Sequence, residues 1–182
     1  MSNYEYRPGL AATPPGHWPA ASRIDRTAGL ATLVMLVHPR CPCSRASLEE
    51  LDRLMARSQG LVTTHVLFLK PLDLPEGWEK TDLWRSAAAI PGVHVMRDDD
   101  GAEAAWFGAV TSGQVVLYDP EGRLVFSGGI TVSRGHAGDN EGLSAILSLL
   151  AHAGGTRHGT PVFGCSLIRP GSRATRMVDD GV

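Results

Sequence analysis

The chain has 182 residues, 43% hydrophobic and 20% charged, and its 17 basic against 19 acidic side chains leave a formal net charge of −2. That is the composition of one soluble globular domain with chain enough for a core, and it offers no basic excess for nucleic acid and no acidic tail. The longest apolar run has strand length and cannot span a bilayer, and three cysteines are too few for a disulfide framework.

Residues 1–28 carry Pro8-Gly9, Pro14-Pro15-Gly16 and Trp18-Pro19 with no sustained periodicity. They read as an extended lead-in draped over the domain, with Trp18 as an anchor. Polar and proline-rich, the first twenty residues do not read as a signal peptide. Residues 33–37 are continuously apolar, as expected of a strand buried on both faces, and the strand is expected over 32–37. His38-Pro39-Arg40-Cys41-Pro42-Cys43-Ser44 follows, and then Leu48, Leu51, Leu54 and Met55 recur at helical spacing. The spacing predicts a helix over 42–57, ending near Gly60.

Residues 61–69 form a second strand, parallel to the first through the intervening helix in a right-handed crossover. After a loop at 71–77, Thr81 is placed to cap a helix that runs to about residue 89 and is stopped by Pro91-Gly92. A short apolar segment lies at 93–96. Asp98-Asp99-Asp100 caps a helix from 102 to about 107; its ligand spacing does not match a calcium loop. Residues 114–118, the turn Asp119-Pro120-Glu121-Gly122, and residues 123–127 read as a hairpin. Asp139 and Asn140 cap a last helix with Leu143, Ile146, Leu147 and Leu150 on one stripe. Gly154-Gly155 ends that helix, and a tail containing Pro161-Val162-Phe163-Gly164-Cys165 follows.

The chemistry concentrates at Cys41. Proline is favoured at the first helical position, so Pro42 puts Cys41 at the N-cap, facing unpaired N–H groups and the positive end of the helix dipole. Both lower a thiol pKa. Arg40 is expected to add positive charge beside the sulfur, and Cys43 falls on the second helical position. Three cysteines with His38 also make a donor set of the kind that suits copper(I) or another soft metal, although His-x-x-Cys-x-Cys is not a standard zinc spacing. His65, His94, His152 and His158 read as structural or surface residues.

Cys41-Pro42-Cys43-Ser44 after a buried strand resembles the active-site turn of the thioredoxin superfamily. The pattern is most similar to RedB-like thioredoxin-fold proteins, on residues 38–47, Thr111-Ser112-Gly113, Gly128-Gly129-Ile130-Thr131, Arg134-Gly135-His136 and Pro161-Val162-Phe163-Gly164-Cys165. The resemblance implies an α/β thioredoxin-like fold, a central mixed sheet flanked by helices. Residues 29–153 would be its domain, 1–28 the lead-in and 154–182 a tail folding back toward the cysteine turn. It implies that Cys41 attacks, that the partner is a thiol-containing or redox protein, and that no cofactor is required. It also implies an extracytoplasmic, periplasmic setting, with membrane association only through an anchor outside this sequence. Two departures stand out: Ser44 replaces the second cysteine of the usual Cys-x-x-Cys, and Ser112 stands where a proline usually packs against the reactive sulfur.

In this topology Thr111 and Ser112, with Arg134 and His136 from the loop after the hairpin, are expected to line the pocket around Cys41. Residues 154–164 can span ~35 Å when extended, far enough to return Cys165 to the cysteine turn. Cys43 or Cys165 would then resolve a mixed disulfide on Cys41, with Ser44 donating a hydrogen bond to the sulfur and His136 or His38 moving the proton. The alternative is a copper(I)-type metal module or redox sensor built from Cys41, Cys43, Cys165 and His38.

Overall fold

A computed structural model describes residues 5–151 and 158–168. The buried run forms β1 (Ala31–Val37), all seven residues of which are buried. It is followed by α1 (Ser44–Arg57), β2 (Val62–Lys70), α2 (Asp82–Ala89), β3 (Val93–Asp99) and α3 (Ala102–Trp106). The hairpin is β4 (Gln114–Tyr118) and β5 (Leu124–Gly128), and α4 (Glu141–Ala151) and a two-residue β6 (His158–Gly159) complete the order.

The six strands make one mixed sheet in the order β3-β2-β1-β4-β5-β6. β1, β2 and β3 are parallel, β4 runs antiparallel to β1 and to β5, and β6 is parallel to β5. Alternation along the strands divides the core in two, since successive side chains point to opposite faces. Leu33, Met35 and Val37 face α1, α2 and α4, where Leu51, Leu54, Leu83, Leu143 and Ile146 pack against them. Val34 and Leu36 face α3, with Ile24 from the lead-in and Leu167 from the tail closing that side. This is the thioredoxin-like α/β arrangement that the cysteine turn implies. Among the described residues no helix is long and apolar enough to cross a membrane.

Three elements differ from expectation. α1 is assigned from Ser44 rather than residue 42, because its first turn is closed by i to i+3 bonds: Ser44 N–H donates to the Cys41 carbonyl at 3.1 Å and Arg45 N–H to Pro42 at 3.4 Å. The segment at 93–96 extends into a seven-residue edge strand whose charged end, Arg97-Asp98-Asp99, masks the pattern. β6 is too short to carry any periodicity of its own. Asp98, expected as a cap, serves as one from the end of β3: its carboxylate accepts the N–H groups of Glu103 at 2.8 Å and Ala104 at 3.0 Å. The helix stop at Gly154-Gly155 and the histidine at position 152 lie outside the described residues.

The lead-in is laid down by backbone bonds. Trp18 N–H donates to Gly122 and Leu124 N–H to Gly16. Trp18 stands edge-on to Phe107 and Tyr118, with ring centroids 5.0 and 5.2 Å away.

Candidate functional site: a three-cysteine centre under the tail

β1 delivers the chain to the turn 38–41, which closes when Cys41 N–H donates to the His38 carbonyl at 3.0 Å. β4 begins beside it. Gly113 N–H donates to Leu36 at 2.8 Å, and the hydroxyl of Ser112 accepts the His38 N–H at 2.7 Å. Ser112 Oγ also lies 2.7 Å from Ser44 Oγ, so the residue in the usual proline position ties the strand end to the helix start. Thr111 is fully buried, and its hydroxyl donates to the Leu10 carbonyl of the lead-in at 2.8 Å.

The tail then arrives as an added strand. Ser112 N–H donates to the Cys165 carbonyl at 2.8 Å and Leu167 N–H to the Val110 carbonyl at 2.9 Å, around an antiparallel bridge between Thr111 and Ser166. Residue 164 must be glycine for this approach, since a Cβ there would fall on the Ser112 carbonyl oxygen. The seat puts the Cys165 N–H 3.3 Å from Cys41 Sγ. Cys41 is completely buried, whereas Cys43 and Cys165 are half-buried, and all three are free thiols.

The three sulfurs are electrostatically unequal. Burial alone would push Cys41 up, but hydrogen bonds from the Cys165 and Ser44 side chains and from the Cys165 and Cys43 backbone carry its pKa below the ordinary value. Burial, and then its hydrogen bond to Cys41 and the charges on Cys41 and Cys43, push Cys165 up to about 12. Burial and the Cys41 charge also raise Cys43, against the pull of a hydrogen bond from Arg134. A thiolate on Cys41 held by a protonated Cys165 is the state that this pattern describes.

The cation of the site is Arg134, not Arg40. Arg40 lies on the outside of the turn, and its guanidinium sits 5.1 Å from the Trp78 ring centroid. Arg134 instead donates to the Gly164 carbonyl at 2.6 Å and to the Arg7 carbonyl at 3.2 Å, and its charge acts on Cys43 and Cys165. His136 comes from the same loop, but its ring is exposed, with Nδ1 3.0 Å from Ser133 Oγ and 2.8 Å from the Arg134 carbonyl. His38 Nδ1 accepts the Arg40 N–H at 3.1 Å, and its ring stands edge-on to Trp78. The structure thus brings Cys41, Cys43, Ser44, Ser112, Arg134 and Cys165 together and turns Arg40, His38 and His136 to other contacts.

The expected soft-metal set is not assembled. Among the described residues no group of three or more His, Cys, Asp or Glu side chains is arranged to hold a metal ion. Arg134 places a positive charge beside Cys43 and Cys165, and His38 accepts the Arg40 N–H at Nδ1.

One supporting residue was not singled out from the sequence, and another takes a role different from the one expected. Glu50 is completely buried and accepts from Arg53 at 2.7 Å, the Gly138 N–H at 2.7 Å and Asn140 at 3.3 Å, pinning the Arg134 loop to α1. Its signal was positional: it stands one turn before Leu54 on the apolar stripe. Thr81, expected as a side-chain cap, donates its hydroxyl to the Pro39 carbonyl at 2.9 Å and so braces the cysteine turn from α2.

No family model matches the chain, and no curated protein matches it. Among solved structures it is similar to an uncharacterised conserved protein from Geobacillus kaustophilus, with 19% identity and a TM-score of 0.64 over 92% of this chain and 94% of that one. A hypothetical protein from Sinorhizobium meliloti is similar at 20% identity and a TM-score of 0.65, over 91% of this chain and 96% of the other. An exposed lipoprotein thioredoxin of Streptococcus pneumoniae aligns at 19% identity and a TM-score of 0.49, over 68% and 84%. At 19% and 20% identity, the likeness to the Geobacillus and Sinorhizobium proteins is one of fold.

Proposed function

We propose that this chain, thioredoxin-like in fold, is a thiol–disulfide oxidoreductase in which Cys41 attacks and Cys165 resolves. The observation that carries the reading is the convergence of the Cys165 N–H and thiol on Cys41 Sγ. A cysteine held below its ordinary pKa is a nucleophile at neutral pH, and a second thiol beside it supplies the exchange partner.

Reduction of a partner would proceed in two exchanges. The Cys41 thiolate attacks one sulfur of the partner's disulfide, that S–S bond breaks, and the other sulfur leaves as a thiolate. The negative charge on Cys41 is consumed in the mixed disulfide, which removes one of the causes that hold the Cys165 proton. Cys165 then passes its proton to the leaving partner sulfur and attacks Cys41. The partner departs with one thiol and one thiolate, two electrons richer, the thiolate takes a proton from solvent, and Cys41–Cys165 is left as a disulfide that an external dithiol reduces. Ser44 keeps a donor on the Cys41 sulfur, and Arg134 stabilises negative charge at Cys43 and Cys165. The same steps reversed oxidise a dithiol. The reading includes an extracytoplasmic setting and a protein partner, both supported by the resemblance of the cysteine turn to exported thioredoxin-fold proteins.

The test is disulfide mapping of the oxidised full chain, with turnover of insulin disulfides under dithiothreitol. The expected map joins Cys41 to Cys165 and leaves Cys43 alkylated. Cys41→Ser should abolish turnover, and Cys165→Ser should accumulate a mixed disulfide on Cys41. A Cys41–Cys43 bond would remove Cys165 from the resolving role, and absence of turnover in the unaltered protein would overturn the reading.

A further inference from the structure

The attacking sulfur of this reading has 0% exposure. What covers it is the chain itself. The backbone of residues 164–167 is held by the Arg134 side chain on the Gly164 carbonyl, by Ser112 N–H on the Cys165 carbonyl, by Leu167 N–H on the Val110 carbonyl, and by the Cys165 N–H on Cys41 Sγ. The Leu167 side chain is buried with Leu36, Phe107 and Val116. A disulfide on another protein cannot meet Cys41 while this strand is seated.

We propose that residues 164–167 are a displaceable cover over Cys41, a built-in competitor for the edge formed by Val110, Thr111 and Ser112. The proposal rests on the thiol–disulfide reading and adds to it how the site is regulated. The edge offers one N–H and one carbonyl at alternate positions to an antiparallel chain, and Cys41 lies beside that chain's cysteine. The occupant that displaces the cover is therefore an extended, cysteine-bearing segment of a partner protein, satisfying the same two backbone groups. Gly164 permits the seat, because a side chain there meets the Ser112 carbonyl. The cover is local, with few bonds to break, and opens without unfolding the sheet beneath it.

The test uses the full chain carrying Cys43→Ser and Cys165→Ser, which leaves Cys41 as the sole thiol. Alkylation by N-ethylmaleimide is followed at a pH where Cys41 is fully ionised, so that the rate reads access rather than acidity. Adding Gly164→Val, or Leu167→Asp as a second way to unseat the strand, should speed alkylation about tenfold or more. Equal rates in the parent and in both variants, each still melting cooperatively, would overturn the cover. Hydrogen exchange on the unaltered protein gives an answer that depends on no variant. The Leu167 and Ser112 amides should exchange faster than those of Val34 and Leu36 in β1, and equal protection would overturn local opening. A ten-residue peptide with one S-methylated cysteine should further expose the Leu167 amide while the Ser112 amide stays protected; no change at Leu167 would overturn displacement by a partner strand. Failure of insulin turnover with these results intact would sink the redox reading and leave the cover standing.

Discussion

A sulfur without solvent would ordinarily be a poor acid, and at Cys41 the donors outweigh that burial. The balance is testable one donor at a time. Cys165→Ala removes the thiol donor but keeps the backbone N–H, so the midpoint of Cys41 alkylation should rise by about half to one pH unit, the worth of one hydrogen bond of about 1 kcal/mol. An unchanged midpoint would show that the helix start alone sets the acidity. Arg134 acts on the neighbouring sulfurs, where Arg134→Gln should move the alkylation midpoint of Cys43 upward, because the cation that opposes its burial is gone. Arg40→Gln should leave both midpoints where they are, since its charge is spent on Trp78.

At the scale of elements, the site is a junction of four pieces: the end of β1, the start of α1, the turn into β4 and the strand of the tail. The loop that carries Arg134 has no regular structure, and Glu50 on α1 is its fixed point. Removing this buried carboxylate takes the acceptor from the Gly138 N–H and cuts the tie between the loop and α1. Glu50→Ala should therefore cost about 1–3 kcal/mol in urea denaturation, with faster exchange at the Gly138 amide. If stability falls and Gly138 stays protected, the loop is held by something other than Glu50. The cap on α3 follows the same logic, with Asp98→Ala expected to cost about 1 kcal/mol.

At the scale of the whole molecule, two buried groups among the described residues pull the acid response in opposite directions. His65 is buried on β2 beside His94 and its ring nitrogens have no partner; burial and then the His94 charge lower its pKa to about 4, against the pull of Asp25. The unfolded chain binds that proton near 6.5 and the folded one only near 4, so this group withdraws stability as pH falls through the interval. Asp98, raised by burial to about 6 from an ordinary 3.8, binds its proton first in the folded state and returns stability over much of the same range. His65→Val removes only the first effect. Its advantage over the unaltered protein should widen steadily between pH 6.5 and 4 in denaturant titrations, and a constant difference would show that His65 does not titrate as its burial requires.

The elements were legible in the sequence because their signals are local. The apolar run of β1, the helical spacing after Pro42 and the Asp-Pro-Glu-Gly turn each fix a conformation within a few residues. Cys41 stood out in the sequence as an expected N-cap before Pro42, but the helix's N-cap is Cys43, and the donors that Cys41 meets include the Cys165 and Ser44 side chains as well as backbone groups. What the tertiary structure decided is everything that depends on where a chain end or a long side chain comes to rest. Residues 154–164 could reach the cysteine turn, but loop closure discriminates weakly among endpoints. Only the backbone groups of Val110 and Ser112, together with the glycine at 164, say that Cys165 stops above Cys41. The choice between two arginines was equally out of reach. Arg40 is one residue from the nucleophile and turns away to an aromatic face, while Arg134, more than ninety residues on, is brought in by a loop that a buried carboxylate pins. Sequence adjacency sets the backbone, and packing sets which charge a sulfur meets.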